Sequence, residues 1–148
     1  MSINTIKELR ELTGLSFNEI RRALQESGND KQKALQILRD RGASIADKKA
    51  SRSTNEGVVE SYVHGNKKIG VLLEILCETD FVARNPLFGE LAHECAMHIA
   101  AMDPQNIQEL LEQPFIKDQN KTLEQLVTEY IAKLGENIRI SRFNRFQI

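Results

Sequence analysis

Apolar residues recur at three- and four-residue spacing through the first forty positions, then at two-residue spacing or in unbroken runs from position 57. Thr5 and Glu8 stand at capping-box spacing ahead of Ile6, Leu9 and Leu12, and Gly14 stops the run, which predicts a first short helix. Ser16 and Glu19 repeat the device before Phe17, Ile20, Ala23 and Leu24, with Gly28 as the stop. Asp30 can cap a third helix carrying Ala34, Ile37 and Leu38 and ending at Gly42. Residues 43–55 are small, polar and basic with little periodicity, which predicts a flexible linker. The pattern therefore divides the chain into a helical domain at 1–42, a linker at 43–55 and a core at 56–148.

The core opens on two β-rich runs, Val58 to His64 and Ile69 to Cys77, around a Gly65-Asn66 turn, and they read as a hairpin. The second run is almost wholly apolar, so it is expected at the centre of a sheet with a helix over one face. That helix follows. Pro86 suits a first turn, Leu87 or Phe88, Leu91, Cys95, Ile99 and Met102 recur at three- and four-residue intervals, and Asp103-Pro104 ends it. Thr122 can cap another helix, with Leu123, Leu126, Val127, Tyr130 and Leu134 on its apolar side and Gly135 at its end. Ile138, Ile140, Phe146 and Ile148 are expected on one face of an alternating final strand. The fold class is α+β: three N-terminal helices, then a three-stranded antiparallel sheet packed with helices.

Composition narrows the function. Of the 148 residues, 41% are hydrophobic and 28% charged, which excludes a disordered chain. No apolar run approaches the ~20 residues of a membrane span, and the N-terminus lacks a basic segment followed by an apolar one, so a cytoplasmic chain is expected. Cys77 and Cys95 read as small buried hydrophobes, with no metal site and no cofactor expected. A net charge of −1 argues against a general nucleic-acid binder, but its distribution is uneven. Residues 1–55 hold 11 basic against 7 acidic side chains and residues 56–136 hold 6 against 14, so the two parts are expected to meet different surfaces.

The residues between strand and helix carry the most specific signal: Glu78-Thr79-Asp80-Phe81-Val82-Ala83-Arg84-Asn85. Together with Leu9-Arg10, Thr13-Gly14, Ala23-Leu24, Asp30, Leu38-Arg39, Met97 to Met102 and Leu134 to Ile138, they make the chain resemble the elongation factor Ts family over nearly its full length. The resemblance implies a ubiquitin-associated-like N-terminal domain and a cytoplasmic, non-enzymatic guanine-nucleotide exchange factor, with no catalytic residues. Its partner would be elongation factor Tu. The loop Thr13, Gly14, Leu15, Ser16, Phe17 and Asn18 would dock on the nucleotide-binding domain of Tu, although members commonly have Met where this chain has Asn18. Thr79, Asp80, Phe81 and Val82 would disturb the Mg²⁺ and phosphate site, with Phe81 as the wedge. An aromatic side chain suits that work because it can bury a large apolar area in a partner's groove.

Rival readings accompany several of these residues. Phe81 could belong to the core, and Asp80 could be a helix N-cap. Cys95 and His98 suggest a hydrolase pair, but three residues apart on an apolar helix they fit core neighbours better. Arg139, Arg142 and Arg145 interleave with Phe143 and Phe146, as in an RNA-binding strand, which leaves an RNA-binding or adaptor module of the translation apparatus as the alternative. Between Asp103-Pro104 and Leu110-Leu111 the chain is shorter than family members usually are. With two open sheet edges, a homodimer through the core is one expectation and a monomer kept soluble by polar residues on the exposed face is the other.

Overall fold

The computed structural model describes residues 1–148. Helices α1 (Ile3–Thr13), α2 (Phe17–Glu26) and α3 (Lys31–Lys49) come first. Helix α1 starts a turn's width before Thr5, because the Ser2 side chain already accepts the Asn4 N–H at 3.2 Å. Ser16 and Asp30 cap α2 and α3 as their positions predict. Ile6, Leu9, Leu15, Ile20, Ala23, Leu24, Ala34 and Leu38 close a small core, and Arg41 of α3 ties it down by bonding the Glu19 and Glu26 carboxylates of α2.

Helix α3 does not stop at Gly42. It runs on to Lys49, so the first half of the flexible linker expected at 43–55 is helix, a strap fastened at its ends. Gly42 is buried against α7 (Leu123–Leu134), Ile45 packs on the small core and Ala46 on the large one. That packing outweighs the ~1 kcal/mol that a glycine costs within a helix. Beyond it, the Lys49 ammonium donates to the Gly135 carbonyl at 2.7 Å, and the buried Asn137 amide donates to the carbonyls of Ala50 at 3.4 Å and Arg52 at 3.0 Å.

The sheet is antiparallel, in the order β1 (Glu56–Val63), β2 (Ile69–Cys77), β5 (Arg139–Gln147). Its inner face, led by Val71, Leu73, Ile75 and Cys77 of the central strand, packs under α5 (Pro86–Met102), with α7 alongside. The final strand departs from simple alternation. Glu74 pairs with Arg142 but Ile75 with Ile140, so Ser141 is an extra residue bulged out of register. Its hydroxyl donates to the Glu74 carboxylate at 2.6 Å, and Arg142 grips the other oxygen at 3.0 Å. Those bonds, the Ser141 one foremost, hold the Glu74 carboxyl below its ordinary value. A one-residue shift swaps the faces of everything after it. Ile138 and Ile140 are therefore buried as expected, whereas Phe146 and Ile148 are exposed, and Phe143 and Arg145 turn inward in their place.

Between α5 and α7 lie three elements without a clear apolar period: α6 (Ile107–Glu112), β3 (Pro114–Phe115) and β4 (Asp118–Thr122). His98 of α5 secures them. Its Nδ1 accepts the Ile116 N–H at 3.2 Å, its Nε2 meets the Gln113 side-chain oxygen at 2.9 Å, and the ring stacks on Phe115. Burial lowers its pKa, so the ring stays neutral, as an accepting Nδ1 requires.

Gly14 marks where the helical unit touches the core most closely. Its φ is +69°, and a Cβ there would lie 2.4 Å from Lys133 Cγ and 3.0 Å from the Lys133 backbone nitrogen. Replacing Gly14 with Ala is expected to cost about 1–3 kcal/mol, from the left-handed backbone and the displacement of α1 from α7. Urea unfolding at fixed pH measures it, and a loss under about 0.5 kcal/mol, the range of ordinary surface changes, would contradict the packing described.

Candidate functional site

The Thr79–Val82 motif forms α4 (Asp80–Ala83), a single helical turn between β2 and α5. One turn of helix is marginal on its own, because nucleation fixes several residues for few hydrogen bonds. Here it is anchored at both ends. Val82 and Ala83 are buried in the large core, and Thr79 caps the turn, its hydroxyl oxygen accepting the Val82 N–H at 3.3 Å. The cap is thus Thr79, and Asp80 occupies the first helical position, where it pairs with Arg84 on the surface. An exposed pair of that kind contributes little to stability.

Phe81 points away from all of this. It is 85% exposed, which removes the core reading and leaves a large apolar ring standing in water. Isolated exposed hydrophobes are ordinary, but this one sits on a short turn whose other apolar residues are all buried. The backbone beneath it is held by an arrangement that sequence reasoning missed. The Glu136 carboxylate, just past the Gly135 cap of α7, accepts the Glu78 N–H at 3.2 Å and the Thr79 N–H at 3.0 Å on one oxygen. Its other oxygen accepts the Thr79 hydroxyl at 2.7 Å. In return, the Glu78 carboxylate accepts the Asn137 N–H at 2.8 Å. The signal available in the sequence was a buried-strand start preceded by Gly135-Glu136-Asn137, polar residues placed where Ile138 and Ile140 already demand packing.

The other predicted group divides in two. Thr13 and Leu15 are buried: the Thr13 hydroxyl donates to the Leu9 carbonyl at 2.6 Å, and Leu15 is in the small core. Gly14 lies against α7, leaving Ser16, Phe17 and Asn18 exposed at the start of α2, with Phe17 52% exposed. No hydrogen bond or ion pair joins this loop to the Phe81 turn, but the loop lies on α7 at Glu129 and Lys133 and the turn is held by Glu136, just past the end of that helix.

The hydrolase reading loses its groups. Cys95 is fully buried, its thiol pKa pushed up to about 12 by desolvation, and His98 is occupied as described. Neither can serve a nucleophilic reaction that needs an accessible thiolate. On β5, Arg142 bonds Glu74 while its side chain stays exposed, Arg145 donates to the Ala100 carbonyl at 2.9 Å and pairs with Asp103, and Arg139 bonds Thr54. No helix is long and apolar enough to cross a membrane.

Comparison with known proteins agrees with the motif. The family model described as Elongation factor TS matches residues 78–148, from the clamp to the last residue. The elongation factor Ts of Thermotoga petrophila is 41% identical over 191 aligned positions, covering 100% of this chain and 96% of the relative. That of Thermosipho melanesiensis is 39% identical, covering 100% and 98%, and that of Thermodesulfovibrio yellowstonii is 42% identical, covering 97% and 94%. Alignments that run to about 190 positions against the 148 of this chain mean that the relatives carry segments it lacks. Identity of this order across the whole chain shows that it belongs to the elongation factor Ts family of translation elongation factors.

Proposed function

We infer that the chain is a cytoplasmic guanine-nucleotide exchange factor that binds elongation factor Tu carrying GDP, disturbs its Mg²⁺ and phosphate site and promotes GDP release. Such a factor is not an enzyme and needs no cofactor. It has to bind nucleotide-free Tu better than nucleotide-bound Tu, and by linkage it then weakens the nucleotide by the same factor. The observation that carries this reading is Phe81, fully presented on a turn whose backbone is clamped. A ring held ready loses little freedom on insertion, so most of the apolar area it buries goes into separating the partner's elements. Thr79 and Val82 set the aim, and Asp80 lies at the rim for polar contact. Docking falls to Ser16, Phe17 and Asn18 on the nucleotide-binding domain of Tu, with Thr13 and Leu15 holding the loop in shape and α3 strapping residues 1–42 to the exchange core 56–148.

The core also supports self-association. On its outer face Val59, Val63, Leu72 and Phe146 are all more than half exposed, and register places them on one side of the three strands. A patch of this kind suits two-fold pairing through identical surfaces. The chain's own residues leave that face uncovered.

Two measurements check these readings. Phe81→Ala is expected to leave the melting temperature unchanged while reducing stimulated GDP release from Tu by a factor corresponding to ~2–4 kcal/mol, the usual range for an aromatic hot spot. Release of a fluorescent GDP analogue reads it. A wild-type rate in the variant would remove Phe81 as the wedge, and RNA binding by the chain without any acceleration of release would replace the exchange reading. Light scattering over a tenfold range of concentration tests the pairing: a mass twice 16.8 kDa that falls on Leu72→Lys is expected, and 16.8 kDa throughout would exclude it.

A further inference from the structure

The Glu136 clamp joins segments 57 residues apart, tying the backbone that leads into the Phe81 turn to the stretch just past α7. Three donors converge on one carboxylate, two of them backbone N–H groups at the point where β2 ends. Three bonds on the two oxygens of one group fix direction as well as distance. The neighbouring Cys77 thiol donates to the Thr79 carbonyl at 3.2 Å, so Thr79 is bonded through its N–H, its hydroxyl and its carbonyl. The bonds within α4 itself are few, and its outward face offers nothing but Phe81 and the Asp80–Arg84 pair.

We propose that Glu136 is a positioning residue for exchange: by holding Glu78 and Thr79 it keeps the α4 turn folded and Phe81 aimed before any partner arrives. This rests on the exchange reading above and adds to it a residue that does not itself present an exposed apolar side chain to Tu. Without the clamp the turn samples other conformations, and only the competent fraction can insert Phe81. Docking through Phe17 and Asn18 is untouched. The maximal rate of GDP release at saturating factor therefore falls, whereas the concentration giving half that rate does not move. Loss of folded protein would do the reverse, raising the apparent half-saturating concentration and sparing the maximum.

Side-chain geometry makes the roles of charge and reach separable. Glu136→Gln keeps an amide oxygen where the two backbone N–H groups arrive and an NH₂ facing the Thr79 oxygen, but removes the charge. Glu136→Asp keeps the charge and shortens the reach by one methylene. The experiment is GDP release from Tu by the full-length chain, with Ala, Gln and Asp at 136, each in the wild-type and Phe81→Ala backgrounds. The expected order of maximal rate is wild type, then Gln close to it, then Asp and Ala about fivefold to tenfold lower, the scale of ordering a loosened segment on binding. In the Phe81→Ala background the substitutions at 136 should have no further effect, since residues acting through one another are not additive. If the Ala variant fails to fold, the Gln and Asp pair still decides. Asp at the wild-type rate with Gln impaired would make Glu136 a matter of charge and overturn the proposal. So would wild-type maximal rates in all three, or a loss that persists without Phe81. If the wild-type chain does not accelerate GDP release, the exchange reading falls instead, and if Phe81→Ala releases GDP at the wild-type rate, the wedge role of Phe81 does.

Discussion

Helix α7 is buried from two sides, and the rest of the molecule is arranged around that constraint. Leu123, Leu126, Val127, Tyr130 and Ile131 enter the core under the sheet, while Ala132 packs on the small helical core and Glu129 and Lys133 meet Gly14. A helix in that position cannot shift without moving both cores. Even its polar side is enclosed: Glu129 is largely buried, desolvation raises its pKa, and the Lys121 ammonium at 3.0 Å offsets part of that cost. Broken by loss of Lys121, such a pair would leave an uncompensated carboxylate inside the structure. The residues just beyond the helix extend the same logic, since Gly135, Glu136 and Asn137 take hold of Lys49, Thr79, Ala50 and Arg52 in turn.

Much of this was legible along the chain because local chemistry and tertiary packing agree there. Ser16, Asp30, Thr122 and Gly135 cap helices where their spacing predicts, and the apolar run Ile69 to Cys77 lies at the centre of the sheet. The misreadings fall where packing overrides a local rule. Gly42 ought to end a helix, but α7 supplies a surface for it at Thr128, and Ile45 and Ala46 pack on the two cores beyond it. Phe146 and Ile148 keep perfect alternation with Ile140 in the sequence, and only the bulge at Ser141, bonded to a glutamate 67 residues away, reverses them. The hairpin at 114–122 has no period to detect, since its chief support is a histidine on another element.

The candidate site was legible in a different way. The motif Thr79 to Val82 drew attention through family resemblance, which says nothing about how its side chains are divided. The structure separates them physically: Val82 inward, Thr79 into the cap and clamp, Asp80 to the rim, Phe81 into solvent. The same sorting applies to the loop at 13–18, where half the candidate residues are scaffold. What no pattern in the motif could reveal is the support beneath it, because Glu136 lies more than fifty positions away and marks itself only by following a glycine cap.

An exposed ring on a braced turn suits the proposed differential binding: it costs little to keep ready and would gain only where a partner opens to receive it. The central claim is thus thermodynamic, and reciprocity makes it measurable without kinetics. Titration calorimetry of the chain against nucleotide-free Tu and against Tu saturated with GDP gives two dissociation constants, whose ratio must equal the factor by which the chain weakens GDP. The account predicts a ratio of at least a hundredfold in favour of the nucleotide-free form, the upper part of the usual coupling range of about 5–150-fold or beyond it. Equal dissociation constants for the two forms would contradict it.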